Sequence, residues 1–432
     1  MGRTVPAGPH GTWKVDPMAL LDDAWRTELL PGLASMYEDL HRHPELSGQE
    51  HRTAAKAAQA LTEAGYEVTE GVGGTGVVGV LRNGEGPVVM LRADMDALPV
   101  REETGLPYAS EVFAVGPDGD SVPVAHACGH DMHVACLAGA AALLARLREQ
   151  WSGTVLAVFQ PAEELVAGAR GMIEDGLFER FPRPDIVLGQ HVGPLPAGVI
   201  GHREGPVMAA ADFADVELFG RGGHGSRPEA TVDPVLLAAS VVVRLQGIVA
   251  REVPAAETAV VTVGRLQAGT KENIIPDTAK LGISVRSYTP QVRRLVIDAV
   301  ERIVNGEAAA SGSPKPPVVT WKPAAPVLVS DVDATRAVIA DLGAHFGQER
   351  LLPLPPIAAS EDVGLFGEAA GVPTVFWFWG GLDAATAVAA FQEGRQDQLP
   401  SNHSPKFAPV IQPTLTTGVE ALTVAALGRL AG

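Results

Sequence analysis

The stretch VLAVFQPAEE, residues 155–164, is the clearest indication of the fold, because a run of β-forming apolar residues ends there at a pair of carboxylates. A continuous apolar run of this length predicts a strand covered on both faces, as in parallel sheets. Runs of the same character occur at 88–91 and 186–190, and an alanine-rich helical segment lies at 134–147. The sequence therefore predicts an α/β sheet flanked by helices, with the carboxylates where such sheets bind their ligands.

A different pattern interrupts this arrangement near Met208. The interrupting segment has the order strand, helix, strand, strand, helix, strand, which is the split order of ferredoxin-like domains. These six elements are predicted at 213–219, 232–249, 259–266, 279–287, 290–304 and 318–321. After the proline-rich stretch 313–327 the α/β pattern resumes, with helices near 331–346, 363–368 and 412–430 and a strand at 372–379. We expect an α/β domain of residues 17–207 and 325–432, an inserted domain of residues 208–324, and a flexible tail at 1–16.

Composition places the chain among soluble globular proteins. Of its 432 residues 46% are hydrophobic and 19% are charged, which is ordinary for that class. The formal net charge of −18 lacks the basic footprint that nucleic-acid binders need. We recognise neither an apolar stretch of membrane-spanning length nor the apolar core of a signal peptide. Two cysteines cannot build a disulfide framework, so we expect a cytoplasmic protein. From the charge and the lack of a membrane-spanning stretch we expect no nucleic-acid or membrane partner.

Metal-ligating side chains are concentrated in AHACGHDMH, residues 125–133. Three histidines, one cysteine and one aspartate fall within the eight positions from His126 to His133. Cys128 and His130 are two residues apart, so both side chains can point the same way in an extended loop. A thiolate together with imidazole suits Zn, Mn, Co or Ni ions. The competing interpretation is a polar loop that carries a buried free cysteine.

The glutamates of QPAEE have two interpretations. Adjacent side chains diverge, so one of Glu163 and Glu164 would bind a metal while the other acts as a base. Acidic residues at a helix N-terminus are also common without any catalytic role, because the helix dipole favours them. Asp94 and Asp96 follow another strand and share one face, where they either bind a metal or orient ligating histidines.

Three isolated histidines complete the candidate set. His191 follows the strand at 186–190, and His403 lies in the turn-like segment SNHSP. His224 lies between glycines in RGGHGSRP, either in an exposed turn or as a donor that polarises a substrate carbonyl. Each of these histidines, taken alone, is more often structural than catalytic. The segment 71–76 matches GxGxxG, but a strand follows it where a dinucleotide site needs a helix, so we predict a turn.

Taken together, these residues resemble the M20 metallopeptidase family. The similar branch is the amidohydrolase subfamily of hippurate hydrolases, N-acyl-amino-acid amidohydrolases and auxin-conjugate hydrolases. The matching segments, in the family's order, are LRADMDALP (91–99), HACGHDMH (126–133), QPAEE (160–164), GQHVGP (189–194), GGHGSRP (222–228), ENIIPD (272–277), SEDVGLFG (360–367) and NHSP (402–405). Other M20 peptidases have a carboxylate bridge and a His-x-Asp motif. Cys128 and the sequence Asp94-Met95-Asp96 therefore favour the amidohydrolase branch over dipeptidases and carboxypeptidases.

The resemblance implies a zinc-peptidase-like α/β domain that holds two divalent metal ions, usually Mn, Zn, Co or Ni. It implies Cys128 as the bridging thiolate, and His130, Glu164, His191 and His403 as the remaining ligands. The implied general base is Glu163, and Asp96 is grouped with the catalytic residues. Segment 208–324 would be a lid and dimerisation domain, whose His224 serves the active site of the partner subunit. Asn273 and Arg286 would hold the substrate's carboxylate.

The reaction implied by the resemblance is hydrolysis of the amide bond of N-acyl-L-amino acids, such as N-acetyl or N-benzoyl derivatives, by a homodimer or a tetramer. One alternative is a dipeptidase or an N-carbamoyl-amino-acid hydrolase of the same superfamily. Another is a catalytically silent dimeric binding protein. The aromatic run 376–379 either belongs to the core, which we favour, or lines a pocket.

Overall fold

The computed structural model describes residues 24–116, 118–322 and 324–430. Within these residues the chain forms twelve α-helices and eighteen β-strands. The helices are α1 Ala24–Glu28, α2 Leu30–Arg42, α3 His51–Glu63, α4 His130–Arg146, α5 Gly168–Glu174, α6 Leu177–Arg180, α7 Pro234–Arg251, α8 Pro290–Ala310, α9 Val332–Phe346, α10 Gly364–Ala370, α11 Ala384–Gln392 and α12 Ile411–Leu427. The predicted tail at 1–16, and the first residues of the α/β domain expected to begin at residue 17, lie outside the described residues.

The strands alternate with these helices along most of the chain. They are β1 Glu67–Val72, β2 Gly76–Asn83, β3 Val88–Asp94, β4 Phe113–Val115, β5 Ser121–Pro123, β6 Gly153–Gln160, β7 Ile186–Pro196, β8 Ile200–His202, β9 Gly205–Met208, β10 Ala210–Phe219, β11 Gly223–His224, β12 Ala259–Ala268, β13 Ile274–Ile275, β14 Thr278–Ser287, β15 Val318–Trp321, β16 Leu328–Ser330, β17 Leu351–Pro353 and β18 Thr374–Leu382. The mixed α/β class predicted from the sequence is confirmed.

The chain divides into two compact units. The second unit comprises Pro206–Leu328 and Pro356–Glu361, and the first comprises the rest of the described chain. The sequence analysis expects an insertion of residues 208–324, and the first segment of the second unit begins two residues earlier and ends four residues later. The sequence pattern gave no sign that residues 356–361 group with the second unit, because a short loop segment carries no periodicity.

The first unit is built on an eight-stranded sheet with the order β1-β2-β6-β3-β7-β18-β8-β17. Its centre is parallel, with β3 between β6 and β7, and β18 beside β7. The central strands are buried along nearly their whole length, which explains why they read as continuous apolar runs. The turn at 83–86 joins β2 to β3, but β6 lies between these two strands in the sheet.

Helices α4 and α12 pack against each other beside this sheet. Gly418 permits this close approach, because a Cβ atom there would lie 2.5 Å from Cys136 Sγ and 3.1 Å from the ring of Trp379. The four aromatic residues of β18, residues 376–379, are at most 7% exposed and belong to the core. The GxGxxG segment forms the turn between the antiparallel strands β1 and β2.

The second unit is a four-stranded antiparallel sheet with the order β12-β14-β10-β15. Helices α7 and α8 pack on it, and their apolar residues form one core with the strands. This is the βαββαβ arrangement predicted from the sequence. By length and composition α7 could also cross a membrane, the one helix among the described residues that meets this test. Such a match is weak evidence, because the buried side of α7 packs as that of a core helix does.

Candidate metal centre

The ends of β3 and β6 bring the first carboxylates of the site together. These strands are parallel and in register, with Asp94 beside Gln160. Helix α4 begins at His130, directly after Gly129, which has a φ of 85°. A Cβ atom at Gly129 would lie 2.5 Å from Val192 Cγ1, so only glycine fits between Cys128 and this helix. The loop before α4 is thereby pressed against β7, which carries His191.

His130 has one ring nitrogen held and the other unpaired. Its Nδ1 lies 3.2 Å from Asp96 Oδ1. Its Nε2 is buried without a hydrogen-bond partner among the described residues, and lies 3.9 Å from Glu164 Oε1. Burial alone would lower the pKa of His130, but the negative charge of Asp94 and the hydrogen bond to Asp96 outweigh burial and raise it well above its usual value. The surroundings of Nε2 therefore favour a positive charge.

Asp96 orients two candidate ligands at once. While one carboxylate oxygen faces His130, the other accepts hydrogen bonds from Ser47 Oγ at 2.6 Å and from the Glu164 backbone N–H at 2.9 Å. Burial acts to raise the pKa of Asp96, but His130 and the other donors outweigh burial and lower it. Asp96 is thus an ionised, fully buried carboxylate whose hydrogen bonds fix His130 and the start of Glu164.

His191 has the same division of roles between its nitrogens. Its Nδ1 lies 2.7 Å from the Val192 carbonyl oxygen, to which it donates, so that Nε2 carries the lone pair. That Nε2 lies 3.5 Å from Cys128 Sγ. Burial lowers the pKa of His191 well below its usual value and raises the pKa of the Cys128 thiol to about 12. A buried thiol of this kind becomes a thiolate at neutral pH only beside a strong positive charge.

The loop that carries His403 closes another side of the cluster. Its backbone N–H donates to the Ala127 carbonyl at 2.7 Å, and His403 itself has a φ of 70°. His403 Nε2 lies 3.2 Å from Glu164 Oε1. Asn402 donates to the carbonyls of Cys128 and Val192, at 3.0 and 3.1 Å. Ligand atoms of Cys128, Glu164 and His403 all lie within 4.8 Å of one another.

Glu163 lies beside these groups in a constrained turn. Ligand-type atoms of His130, Glu163 and Glu164 also fall within 4.8 Å of one another, and Glu163 is buried. The turn begins at Ala162, a residue other than glycine with a positive φ of 47°. Glu50 accepts a hydrogen bond of 2.8 Å from the Ala162 N–H and so helps to hold this conformation. Backbone strain of this kind is common where a turn must aim functional side chains.

The donor set fits a pair of divalent metal ions. Sulfur, imidazole nitrogen and carboxylate oxygen converge here, and one of these atoms, His130 Nε2, is buried without a hydrogen-bond partner in the part of the chain that the structure describes, 3.6 Å from Asp94 Oδ2. Buried polar atoms rarely stay unpaired without a functional reason. The mixed soft and hard donors suit Zn, Mn, Co or Ni.

The remaining predicted residues belong to the second unit. His224 is exposed on β11, and its Nδ1 accepts hydrogen bonds from the N–H and the hydroxyl of Ser226, at 3.1 and 2.8 Å. Asn273 lies next to β13, which pairs with β11, and its carbonyl accepts the Gly225 N–H at 2.9 Å. Arg286, on β14, donates to Ser360 Oγ at 3.0 Å.

Several supporting residues were missed by the sequence analysis. They are Ser47, Glu50, Arg92, His133, Gln160, Asp362 and Asn402. Glu50 and Ser47 lie in HPELSGQE, about 40 residues before the nearest predicted motif, and no spacing rule connects them to it. Arg92 and Asn402 lie inside matched segments, where their position beside Asp94 and His403 was the available signal.

Comparison with known proteins agrees with this geometry. The model of peptidase family M20/M25/M40 matches residues 90–395. Hippurate hydrolase of Campylobacter jejuni is 41% identical over 335 residues, covering 76% of this chain and 83% of that protein. N-acetylcysteine deacetylase of Bacillus subtilis is 40% identical over 297 residues, covering 68% of this chain and 74% of that protein.

A solved structure extends the similarity to the fold. The Bacillus subtilis YXEP protein, described as a dinuclear metal binding peptidase, superposes with a TM-score of 0.73 at 32% identity, covering 94% of this chain and 98% of that one. The family model alone spans more than half of the sequence. The chain therefore belongs to the M20 metallopeptidase family, within its amidohydrolase subfamily.

Proposed function

We propose that this protein hydrolyses the amide bond of N-acyl-L-amino acids, with two divalent metal ions held by Cys128, His130, Glu164, His191 and His403. The observation that carries the proposal is the convergence of ligand atoms of Cys128, Glu164 and His403 beside His130 Nε2, which is buried without a hydrogen-bond partner in the described chain. Homologues named hippurate hydrolase and N-acetylcysteine deacetylase support the acyl-amino-acid class of substrate. Bound divalent ions would lower the pKa of water toward neutrality and polarise the amide carbonyl.

Glu163 is the proposed general base. Although adjacent side chains were expected to diverge, Glu163 is buried with its ligand-type atom within 4.8 Å of those of His130 and Glu164. It would take the proton of the attacking water and pass it to the leaving amine. Asp96 has no such role in this scheme, because its oxygens already hold His130, Ser47 and the Glu164 amide.

His224 is the proposed donor to the developing oxyanion. Because the Ser226 N–H needs an acceptor, Nδ1 of His224 carries the lone pair and Nε2 carries the proton. An Nε2–H group on an exposed strand end can donate to a negatively charged oxygen. Asn273 and Arg286 are the proposed partners of the substrate's carboxylate, and a guanidinium suits that anion.

A second copy of the chain is the proposed partner of the second unit. Helix α7 exposes Leu236 and Val243, at 66% and 73%, and the edge strand β12 exposes Val260 and Leu266. An apolar helix face next to an unpaired strand edge is typical of an interface between subunits. The two cysteines are free and buried, and the cytoplasm is the proposed location.

The test uses purified protein, metal-loaded or chelated, with a panel of N-acetyl, N-benzoyl and N-carbamoyl amino acids and dipeptides. We expect chelator-sensitive amine release from the acyl-amino acids. Glu163→Gln should keep both metal ions and lose about 100- to 10,000-fold in kcat, the usual contribution of a general base.

The matched control is Glu174→Gln, the same change on an exposed residue of α5, which should leave turnover unaltered. Full activity in Glu163→Gln would refute its role as base. Amine release from dipeptides alone, or from N-carbamoyl amino acids alone, would show that the protein is a dipeptidase or an N-carbamoyl-amino-acid hydrolase instead. No release from any substrate by the metal-loaded protein would favour the silent binding protein.

A further inference from the structure

We propose that His133 is a positioning residue of the metal centre, which holds the Val192 backbone N–H and, through this backbone, the ligating nitrogen of His191. The inference rests on the proposed function, since it assigns a role at the same metal site. His133 lies in the same buried group as Asp94, His130 and His191, whose ligand-type atoms are within 4.8 Å of one another. By residue type alone, His133 would be a further metal ligand beside the four proposed nitrogen and oxygen donors.

Hydrogen bonding separates His133 from the ligands. The Val192 N–H donates to His133 Nε2 at 2.9 Å, so Nε2 must carry its lone pair toward that amide. The proton therefore lies on Nδ1, which faces Asp94 Oδ1 in a short hydrogen bond. With Nε2 accepting and Nδ1 donating, neither nitrogen of His133 is left to bind a metal ion.

The partner on each side of His133 is itself held in place. Asp94 receives a hydrogen bond of 2.7 Å from Arg92 Nη1, and Arg92 also reaches Gln160 Oε1 at 2.8 Å and Asp362 Oδ1 at 3.2 Å. This network is fully buried, so its hydrogen bonds are strong and costly to break. The Nδ1 side of His133 is therefore anchored to the ends of β3 and β6.

On the other side, the Val192 backbone is the part of β7 that determines how the His191 ring is oriented. Its N–H is held by His133, and its carbonyl accepts from His191 Nδ1 at 2.7 Å and from Asn402 at 3.1 Å. The N–H belongs to the peptide that joins His191 to Val192, and the carbonyl belongs to the peptide that follows. A shift of the Val192 backbone would therefore move both the His191 main chain and the carbonyl that orients the His191 ring. The ring of His133 also packs 4.5 Å from that of His191 and 5.2 Å from that of Trp379. Loss of the His133 hydrogen bond should therefore loosen His191 without removing a ligand.

Three substitutions test this route. His133→Phe keeps an aromatic ring and removes both hydrogen bonds. His133→Gln places an amide oxygen near the position of Nε2 and can still accept the Val192 N–H, whereas His133→Asn can reach only the Asp94 side. The control is His345→Phe, which removes a histidine bonded to the carboxylate of Glu420 at 3.0 Å, in a contact between α9 and α12.

The measurements are metal stoichiometry, metal affinity by chelator competition, and the thiolate-to-cobalt absorption band of the cobalt-loaded protein. We expect His133→Phe to bind the same number of ions as the wild type, with about 10-fold weaker affinity, as for other outer-sphere partners, and with a shifted cobalt band. His133→Gln should recover affinity and band position, His133→Asn should not, and His345→Phe should match the wild type.

Wild-type affinity in His133→Phe would overturn the proposal. Loss of a whole metal ion at saturation would also overturn it, because His133 would then be a ligand. Equal behaviour of the Gln and Asn variants would show that the Val192 contact is not the route. If the wild-type protein binds metal but hydrolyses no amide, the proposed function fails, while the affinities of these variants still decide the role of His133.

Discussion

Asp96→Asn is the substitution for which the structure gives the sharpest expectation, because it changes one acceptor atom into a donor and leaves the shape intact. Two donors, Ser47 Oγ and the Glu164 N–H, point at one oxygen of Asp96 and would keep the Asn oxygen on their side. The Asn amide nitrogen would then face His130 Nδ1, which is now 3.2 Å from a carboxylate oxygen. Since an amide N–H donates, Nδ1 would have to accept, and the imidazole proton would move to Nε2.

That proton would sit on the nitrogen that is proposed to bind the metal. Metal binding would then require either the loss of this new hydrogen bond or a return to the other tautomer against an amide donor. A hydrogen bond to a charged group contributes about 1.5–3 kcal/mol, and 1.4 kcal/mol corresponds to about tenfold in affinity. We therefore expect Asp96→Asn to weaken metal binding by about 10- to 100-fold, in line with other outer-sphere substitutions.

Chelator competition with the purified variant measures this loss directly. Ser47→Ala is the matched control, because it removes one donor to the same carboxylate and leaves the His130 contact intact. The control should lose far less affinity than Asp96→Asn. Wild-type metal affinity in Asp96→Asn, with the fold retained, would refute the assignment of the His130 tautomer.

Two further predictions concern stability and assembly. His41 is buried between the carboxylates of Asp131, at 2.6 Å, and Glu102, at 3.1 Å. Burial acts to lower the pKa of His41, but the two carboxylates outweigh burial and raise it to about 10. The contribution of the charged His41 to the free energy of unfolding is therefore present below pH 6.5 and is lost as the pH rises to about 10. His41→Phe should flatten that part of the stability profile in denaturant titrations, and an unchanged slope would contradict the charge assignment. Val243→Arg, on the exposed face of α7, should shift the protein from dimer to monomer in light scattering. The control Val115→Arg, on the surface of the first unit, should not. A dimer that persists in Val243→Arg would rule out the α7 face as the interface.

The sequence was sufficient for those parts of the fold that follow from local patterns. Strands covered on both faces appear as apolar runs, and β3, β6 and β7 are such strands. The βαββαβ order of the second unit was visible because its strands alternate and its helices have a clear apolar side. Glu164 was found because its motif follows the end of β6. His191 was expected just after a strand ending at residue 190, but β7 continues to Pro196 and His191 lies within it.

The order of strands in the sheet and the contacts between distant segments could not be predicted from these local patterns. Nothing local to residues 83–86 indicates that β6, some 70 residues later, lies between the strands that this turn connects. Glu50 and Ser47 act through hydrogen bonds to Ala162 and Asp96, and such partners are fixed only when distant segments pack. Glu50 directly precedes α3, and no sequence feature distinguishes a glutamate that binds a distant backbone N–H from one that lies on the surface.

The three histidines of HACGHDMH show why residue type alone does not identify a ligand. His126 is buried with neither ring nitrogen paired in the described chain, and burial lowers its pKa to about 4. His133 has both nitrogens paired. His130 has one nitrogen oriented by Asp96 and the other unpaired. A metal needs a lone pair on a ring that is already fixed, and of the three only His130 meets both conditions. The chemistry of this segment is therefore set by residues outside it: Asp94 on β3, Asp96 just after β3, and Val192 on β7.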